Sequence, residues 1–505
     1  MSKIISKEYY LKYLKKKILK KKIILCHGVF DLLHIGHIKY LEDSKKRGDI
    51  LIVSITEDKY VNKGIGRPYF SIKQRMESIA ALTCVDFVIE SSHPTAINII
   101  KLIKPNLYIK GSDYKNNKND ITGEILREQK EVEMNGGKIF FVNTPMSSSS
   151  KLINENFEIL NDDQKKDILS IKKKWNINTI SKKIDEIKNI KILIIGEMII
   201  DHYVFCEALG KSGKEPVLAL RTLASQKYIG GSGIVANHIS DFCQSVDLIT
   251  SVGEKKEYMI FIKKNIKENI KKKFFYKKNS PTIYKKRYLD TYNNNKILGV
   301  YDLNDSPLDI KNEKKLYNFI INKVPKYDLV IVSDYGHGFI SKKNADLLCK
   351  KAKFLALNTQ VNASNIGYHT MGKYSKIDFS IVNEIELRHE MRDKFTDIKL
   401  LIKRLASRLK IKNLMVTQGN KGSILFNNKL NLFNHCAAYA EKIVDKVGAG
   451  DSMVAISAAL IYKKTDSVLV SLIASLAASQ KVGKIGNSSR VNKIKILKSI
   501  EHLLK

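Results

Sequence analysis

The stretch that most constrains this chain runs from Ile23 to Lys46. The apolar run Ile23-Ile24-Leu25-Cys26 reads as a buried strand, and the segment Ile35 to Lys46, with Ile38 and Leu41 on one face, reads as an amphipathic helix. Between them lies His27-Gly28-Val29-Phe30-Asp31-Leu32-Leu33-His34-Ile35-Gly36-His37. A strand turning into a helix in this way belongs to an α/β domain, and the turn suits a phosphate. Gly28 permits close backbone approach, and the helix start offers unpaired N–H groups. His34 and His37, three residues apart, project from the first helical turn toward one region. Ordinary surface or core histidines are the plainer account, and zinc is disfavoured because no Cys or third His stands at ligand spacing. Gly48-Asp49 and a second apolar run, Ile50 to Ile55, complete a β-α-β unit.

The pattern G-x-F-D-x-x-H-x-G-H in that setting resembles the cytidylyltransferase-like nucleotidyltransferases. The resemblance implies a Rossmann-like domain over residues 1–158 in which His34 and His37 bind a nucleoside triphosphate, with Gly28, Phe30 and Asp31 in the same binding motif. Lys63-Gly64-Ile65-Gly66-Arg67-Pro68 is either a solvated turn or a mobile basic loop that closes over the triphosphate. The resemblance selects Lys63 as a phosphate contact. Arg75, in a helix opening at Gln74, is a candidate to orient an anionic substrate, with a surface salt bridge as the equal alternative. Leu107 to Tyr114 resembles the V-K-G-x-D-Y segment of sugar-phosphate adenylyltransferases, placing Lys110 and Asp113 at the sheet's carboxyl edge as substrate-binding residues. In the run Ser147 to Ser150, Ser148 and Ser149 can cap a helix and hold phosphate with the same geometry.

Residues 159–189 are polar and lysine-rich and read as a helical connector. A second domain, 190–505, opens on the strand-like Lys191 to Asp201, followed by Gly230-Gly231 and, far downstream, by Asp445-Lys446-Val447-Gly448-Ala449-Gly450-Asp451 at the start of an apolar segment. Glycines at a helix start present N–H donors to a transferring phosphoryl group, and a carboxylate there can accept a proton from an attacking hydroxyl. With Asn383 and Glu386 in an N-x-x-E, these features resemble the ribokinase-like (PfkB) sugar kinases. The resemblance makes Asp451 the catalytic base and Gly448, Ala449 and Gly450 the anion hole. It further makes Asp201, Gly230 and Gly231 sugar-binding, Asn383 and Glu386 indirect organisers of Mg²⁺, and Thr417 and Gly419, with Gly422, nucleotide-binding. Ser333-Asp334-Tyr335-Gly336-His337-Gly338 and Pro281 to Arg287 resemble segments of heptose kinases, with His337 in place of Lys. Other departures are Ile234 for Asn, Asn358-Thr359-Gln360 for D-P-K, and Lys446 for Thr. The amide-rich Asn358 to Asn365 is either a polar loop or the lining of an altered sugar pocket. Gly210-Lys211-Ser212 is no P-loop, because Phe205 stands where the first glycine is required.

Both halves together resemble bifunctional heptose 7-phosphate kinase and heptose 1-phosphate adenylyltransferase enzymes of lipopolysaccharide biosynthesis, with the domain order inverted. The expected fold class is α/β throughout. The expected activity is phosphorylation of a sugar or sugar phosphate by ATP with Mg²⁺, and nucleotidyl transfer to a sugar 1-phosphate from ATP, with CTP as second candidate. The alternative is an active nucleotidyltransferase beside an impaired kinase domain that only binds sugar.

The net charge of +37 raises nucleic acid as a partner, but 77 of the 88 basic residues are Lys, spread along all 505 positions. Bidentate recognition of bases or phosphates favours Arg, so specific nucleic-acid binding is disfavoured. The expected partners are sugar phosphates and nucleoside triphosphates, with no membrane and with room for a homodimer. No apolar run approaches a membrane span, and six scattered cysteines lack paired spacing, which together indicate a cytoplasmic protein.

Overall fold

The computed structural model describes residues 2–64, 66–112, 123–142 and 160–504. The chain divides into two units, one of residues 1–161 with 494–505 and the other of residues 162–493.

Unit 1 is a parallel sheet built from β1 (Ile4–Ile5), β2 (Ile23–Gly28), β3 (Ile50–Thr56), β4 (Phe87–Ser91), β5 (Leu107–Gly111) and β6 (Lys138–Val142), in the order β1-β4-β3-β2-β5-β6. Alternate residues supply two cores. Leu25, Ile52, Ile89 and Tyr108 pack with Tyr10, Leu14, Ile99, Ile103 and Val132 on one face. Ile24, Cys26, Leu51, Val53, Val88 and Ile109 pack with Tyr40, Leu41, Met76 and Ile79 on the other. Coverage of both faces explains why these strands are nearly continuous apolar runs. The chain runs from β2 outward to β3 and β4 on one side and returns to β5 and β6 on the other. The crevice beyond the carboxyl end of β2, where His27 and Gly28 lie, is therefore the switch point at which such sheets bind ligands.

Unit 2 is organised around β7 (Ile192–Lys211). Its first residues pair in parallel with β9 (Val246–Gly253) and β13 (Leu329–Asp334), inside a sheet that also contains β10 (Ile270–Lys277), β14 (Leu355–Thr359), β15 (Phe379–Asn383) and β16 (Asn413–Thr417). Two antiparallel strands, β17 (Ser423–Asn427) and β18 (Leu432–Cys436), extend its edge. From Met198 onward β7 leaves that sheet and pairs with β8 (Leu218–Gly231) and β11 (Ile283–Asp290), the latter carrying β12 (Lys296–Asp302). The helix Ala449–Tyr462 is buried from Asp451 to Leu460, as its apolar composition on every side requires.

Two boundaries differ from those read by composition. The segment 159–189 holds the helices Asp162–Lys174 and Ile177–Asp185 and is counted with unit 2: Gln164 donates to the Ala438 carbonyl at 2.6 Å, and Asp167 accepts from the Ala437 N–H at 2.8 Å. The last helix, Lys493–Leu503, is counted with unit 1. Polarity alone does not reveal such long-range ties. Among the described residues no helix is long and apolar enough to cross a membrane. All six cysteines are free.

Candidate active sites

In unit 1, His34 caps the helix Ile35–Lys45, its Nδ1 accepting the Gly36 N–H at 3.1 Å. The His34 and His37 rings lie 3.9 Å apart between centroids, and the edge of Phe30 meets His37 at 5.3 Å. Burial pushes the His37 imidazole down to about 3, with His34 and Lys63 adding to the effect, and burial lowers His34 as well. Both rings are therefore neutral at physiological pH and offer N–H donors without a charge of their own. Lys63 is exposed.

Four other residues are engaged within the protein. Gly28 was expected to admit a ligand, but a Cβ there would lie 2.9 Å from the Phe30 ring, so the missing side chain makes room for Phe30. Asp31 is buried; it accepts the Tyr69 and Phe70 N–H groups at 2.9 Å and pairs with Arg67, and thereby shapes the loop. Arg75 was expected at a substrate or on a salt-bridged surface. Its guanidinium is instead buried, donating to the carbonyls of Phe70 (3.0 Å), Val29 (2.6 Å) and Thr56 (2.8 Å) and to Asp58 (2.5 Å). It is a strut tying the motif loop to the end of β3. Lys110, at the carboxyl end of β5, pairs with Glu128 at 3.1 Å. Nearby, buried His27 lies 2.7 Å from Ser54 Oγ and is pushed down to about 4 by burial. Asp113, Ser148 and Ser149 lie outside the described residues.

In unit 2, Asp451 stands buried in the first turn of the helix Ala449–Tyr462, behind Gly448 and flanked by Gly450. Its Oδ1 accepts from the Tyr335 hydroxyl (2.8 Å), Asn358 Nδ2 (3.0 Å) and Gln360 Nε2 (3.4 Å). Among the described residues no donor reaches Oδ2. Burial raises this carboxyl to about 6, with the Asp201 charge contributing. Asp201, on β7, accepts from Arg287 at 2.5 Å and from Asn487 at 3.2 Å. Gly230, paired with Ile199 across the β7–β8 ladder, lies close to it, and a Cβ there would run into Asp201 Oδ2; Gly231 follows at the strand end. Thr417 ends β16 in register with Asn383, and Gly419 opens the turn after it.

Asn383 and Glu386 form a capping box on the helix Glu384–Met391, at 2.8 and 2.9 Å. Burial raises Glu386 to about 7, and the Asp451 charge adds to the rise. Among the described residues no cluster of three or more His, Cys, Asp or Glu could hold a metal ion. The carboxyls of Glu386 and Asp451, within electrostatic reach of one another, would suit Mg²⁺ carried mainly by phosphate oxygens and water.

The departures from the kinase pattern have definite places. Ile234 is buried in the helix Ser232–Ile239. Asn358 and Gln360 donate directly to Asp451. Asn362 and Asn365 donate to the Tyr335 carbonyl at 2.9 and 2.8 Å, while Glu197 accepts the Tyr335 N–H at 3.0 Å. The amide-rich loop thus holds Tyr335 against Asp451. His337 is buried and bonded to Asp305 at 2.7 Å, and burial pushes it down to about 4. Sequence reasoning missed Lys481 and Asn487. Burial lowers the Lys481 ammonium to about 8, and it bonds the Gly486 carbonyl within reach of the charges of Asp445, Asp201 and Asp451. A lone Lys near the end of an apolar helix was the only signal available.

Comparison with known proteins gives a concordant result. Residues 189–494 match the pfkB family of carbohydrate kinases, and residues 25–155 match the cytidylyltransferase-like family. The curated "Bifunctional protein HldE" of Campylobacter jejuni subsp. doylei is 28% identical over 327 residues, 62% of this chain and 68% of that protein. The protein of the same name from Helicobacter hepaticus is 41% identical over 129 residues, 25% of this chain and 26% of that protein. The alignments therefore span from a quarter to about two thirds of these relatives, whose usual domain order is the reverse. Among solved structures, ribokinase from Thermotoga maritima is similar with a TM-score of 0.49 and 16% identity, over 62% of this chain and 99% of that one. The chain belongs to the pfkB family of carbohydrate kinases and carries a cytidylyltransferase-like domain ahead of the kinase domain.

Proposed function

We propose that the chain is a bifunctional cytoplasmic enzyme of nucleotide-activated sugar synthesis, of the ADP-heptose type. Unit 2 phosphorylates a heptose-type sugar phosphate with ATP. Unit 1 joins a sugar 1-phosphate to the nucleotide of ATP, with CTP as second candidate, and releases pyrophosphate.

The observation that carries this reading is the placement of Asp451: a buried carboxylate with one oxygen engaged, at a helix start, sharing its surroundings with Asp201. In this mechanism Asp451 Oδ2 takes the proton of the sugar hydroxyl as its oxygen attacks the γ-phosphorus of ATP, and ADP leaves. The N–H groups around Gly448 to Gly450 receive the charge on the transferring phosphoryl group. Asp201 holds the sugar through its hydroxyls, and the Asn383 and Glu386 region orders the triphosphate. Mg²⁺ would neutralise phosphate charge there.

In unit 1 a phosphate oxygen of the sugar 1-phosphate attacks the α-phosphorus, and the bond to the pyrophosphate oxygen breaks. The neutral rings of His34 and His37 donate hydrogen bonds, and Lys63 supplies the positive charge. The alternative of an impaired kinase has no support: Asp451, its donors and the glycine turn are all present, and Asn358 engages the base directly.

Incubating the protein with heptose 7-phosphate, heptose 1-phosphate, ATP and CTP, then identifying products by mass, tests both halves. Asp451→Asn should stop ADP release while nucleotidyl transfer to supplied heptose 1-phosphate continues, and His37→Ala should do the reverse. A single substitution abolishing both reactions, or a wild-type chain that yields no sugar bisphosphate, would overturn the assignment.

A further inference from the structure

The cytidylyltransferase-like match ends at residue 155 and the kinase match at residue 494, yet the chain continues as the helix Lys493–Leu503, counted with unit 1. Ile496, Leu497, Ile500, His502 and Leu503 are buried. The contact that matters is at Gly64. A Cβ on Gly64 would lie 2.7 Å from His502 Cβ and 2.8 Å from the ring carbons Cγ and Cδ2. Such distances leave no room for any side chain, so the loop backbone lies against the face of His502. Gly64 has φ +104 and Gly66 φ +69, a backbone path open to glycine and strained for other residues.

This loop carries Lys63, which weighs on the basicity of His37 and so lies within electrostatic reach of the histidine pair. On its far side the loop is fixed by Arg67, paired with buried Asp31. On the Lys63 side the contact with Gly64 comes from the other end of the chain.

We propose that the C-terminal helix, through His502, is a positioning element of the nucleotidyl-transfer site, setting the path of the Gly64 loop so that Lys63 faces the triphosphate. His502 itself touches no substrate. This rests on the reading of unit 1 as a nucleotidyltransferase. It means that the segment following the kinase domain completes the other catalytic half.

The test uses the full-length protein with His502→Ala, His502→Phe, Gly64→Ala and the double variant His502→Ala/Gly64→Ala. Loosening one charge-assisted phosphate contact should raise the KM for ATP in nucleotidyl transfer about fivefold in His502→Ala, with little change in kcat. His502→Phe, which keeps a flat ring against Gly64, should restore it, and ADP release by the kinase should stay at the wild-type level in all variants. Gly64→Ala should do more damage in the wild-type background than beside His502→Ala, because removal of the ring takes away the contacts with Cγ and Cδ2 and leaves only the one with Cβ. Tryptic cleavage after Lys63 should be faster in His502→Ala, a readout independent of activity. A wild-type KM for ATP in His502→Ala, or strictly additive Gly64 and His502 effects, would overturn the proposal. Absence of nucleotidyl transfer in the wild-type chain would instead overturn the reading of unit 1.

Discussion

Replacing Asp451 by Asn separates two consequences of burying a carboxylate. Burial, with Asp201 close by, moves this group from 3.8 to about 6. A carboxyl that titrates higher in the folded than in the unfolded chain stabilises the fold below pH 3.8, and that contribution is lost as pH rises through about 6. At neutral pH, where the side chain is ionised, the difference makes unit 2 about 3 kcal/mol less stable than it would be with an unperturbed group. Asn has the same shape, keeps an oxygen for the Tyr335 and Asn358 donors, and carries no charge. Asp451→Asn is therefore expected to stabilise unit 2 by up to about 3 kcal/mol at neutral pH, while kcat for sugar phosphorylation falls about 10²–10⁴-fold. Trp175, the single tryptophan of the chain, lies in unit 2, so its fluorescence follows unfolding of that unit in urea. The gain should shrink as pH falls through 6 and vanish by 3.8, and wild-type phosphorylation should show an acid limb near 6. A variant that is less stable at neutral pH, gains equally at every pH, or retains phosphorylation would refute the reasoning.

Three further outcomes follow from the geometry. Because His37 stays neutral down to about 3, nucleotidyl transfer measured as kcat/KM should show no His37 limb between pH 5 and 8, conditions in which an ordinary imidazole titrates; a His37-dependent limb near 6.5 would count against the neutral-donor role. Arg75→Leu should act on stability, because it strands the buried Thr56 carbonyl, at roughly 1–3 kcal/mol, and takes donors from the part-buried carbonyls of Val29 and Phe70. Thermal unfolding of unit 1 checks this, and a stable variant with only a raised KM would restore Arg75 to the substrate. Asn358→Asp would set a second carboxylate beside Asp451, raising the acid limb of phosphorylation above its wild-type position and lowering the rate at neutral pH; an unmoved limb in the pH profile would show that Asn358 does not govern the base.

Local sequence determined much of this protein. Apolar runs ending in glycine turns specify strands that feed helices, and the runs at Ile23 and Ile190 are long enough to be buried on both faces. His34, His37 and Asp451, the residues proposed to carry the chemistry, were legible because each sits within a few positions of its glycines, where backbone geometry alone sets direction. Tertiary structure decided which charged residues are free to act. Arg75 and Lys110 looked like substrate contacts and Asp31 like part of the nucleotide-binding motif, yet each found a partner within the protein that lies distant in sequence or has no motif: the carbonyls of Val29 and Thr56, Glu128, and Arg67. Lys481, Asn487 and the amides that hold Tyr335 became visible only when strands and helices far apart in the chain converged on Asp201 and Asp451. The physical reason is desolvation. A charge taken out of water must find partners, and those partners are supplied by the fold as a whole, whereas a turn and its helix start are set by neighbouring residues.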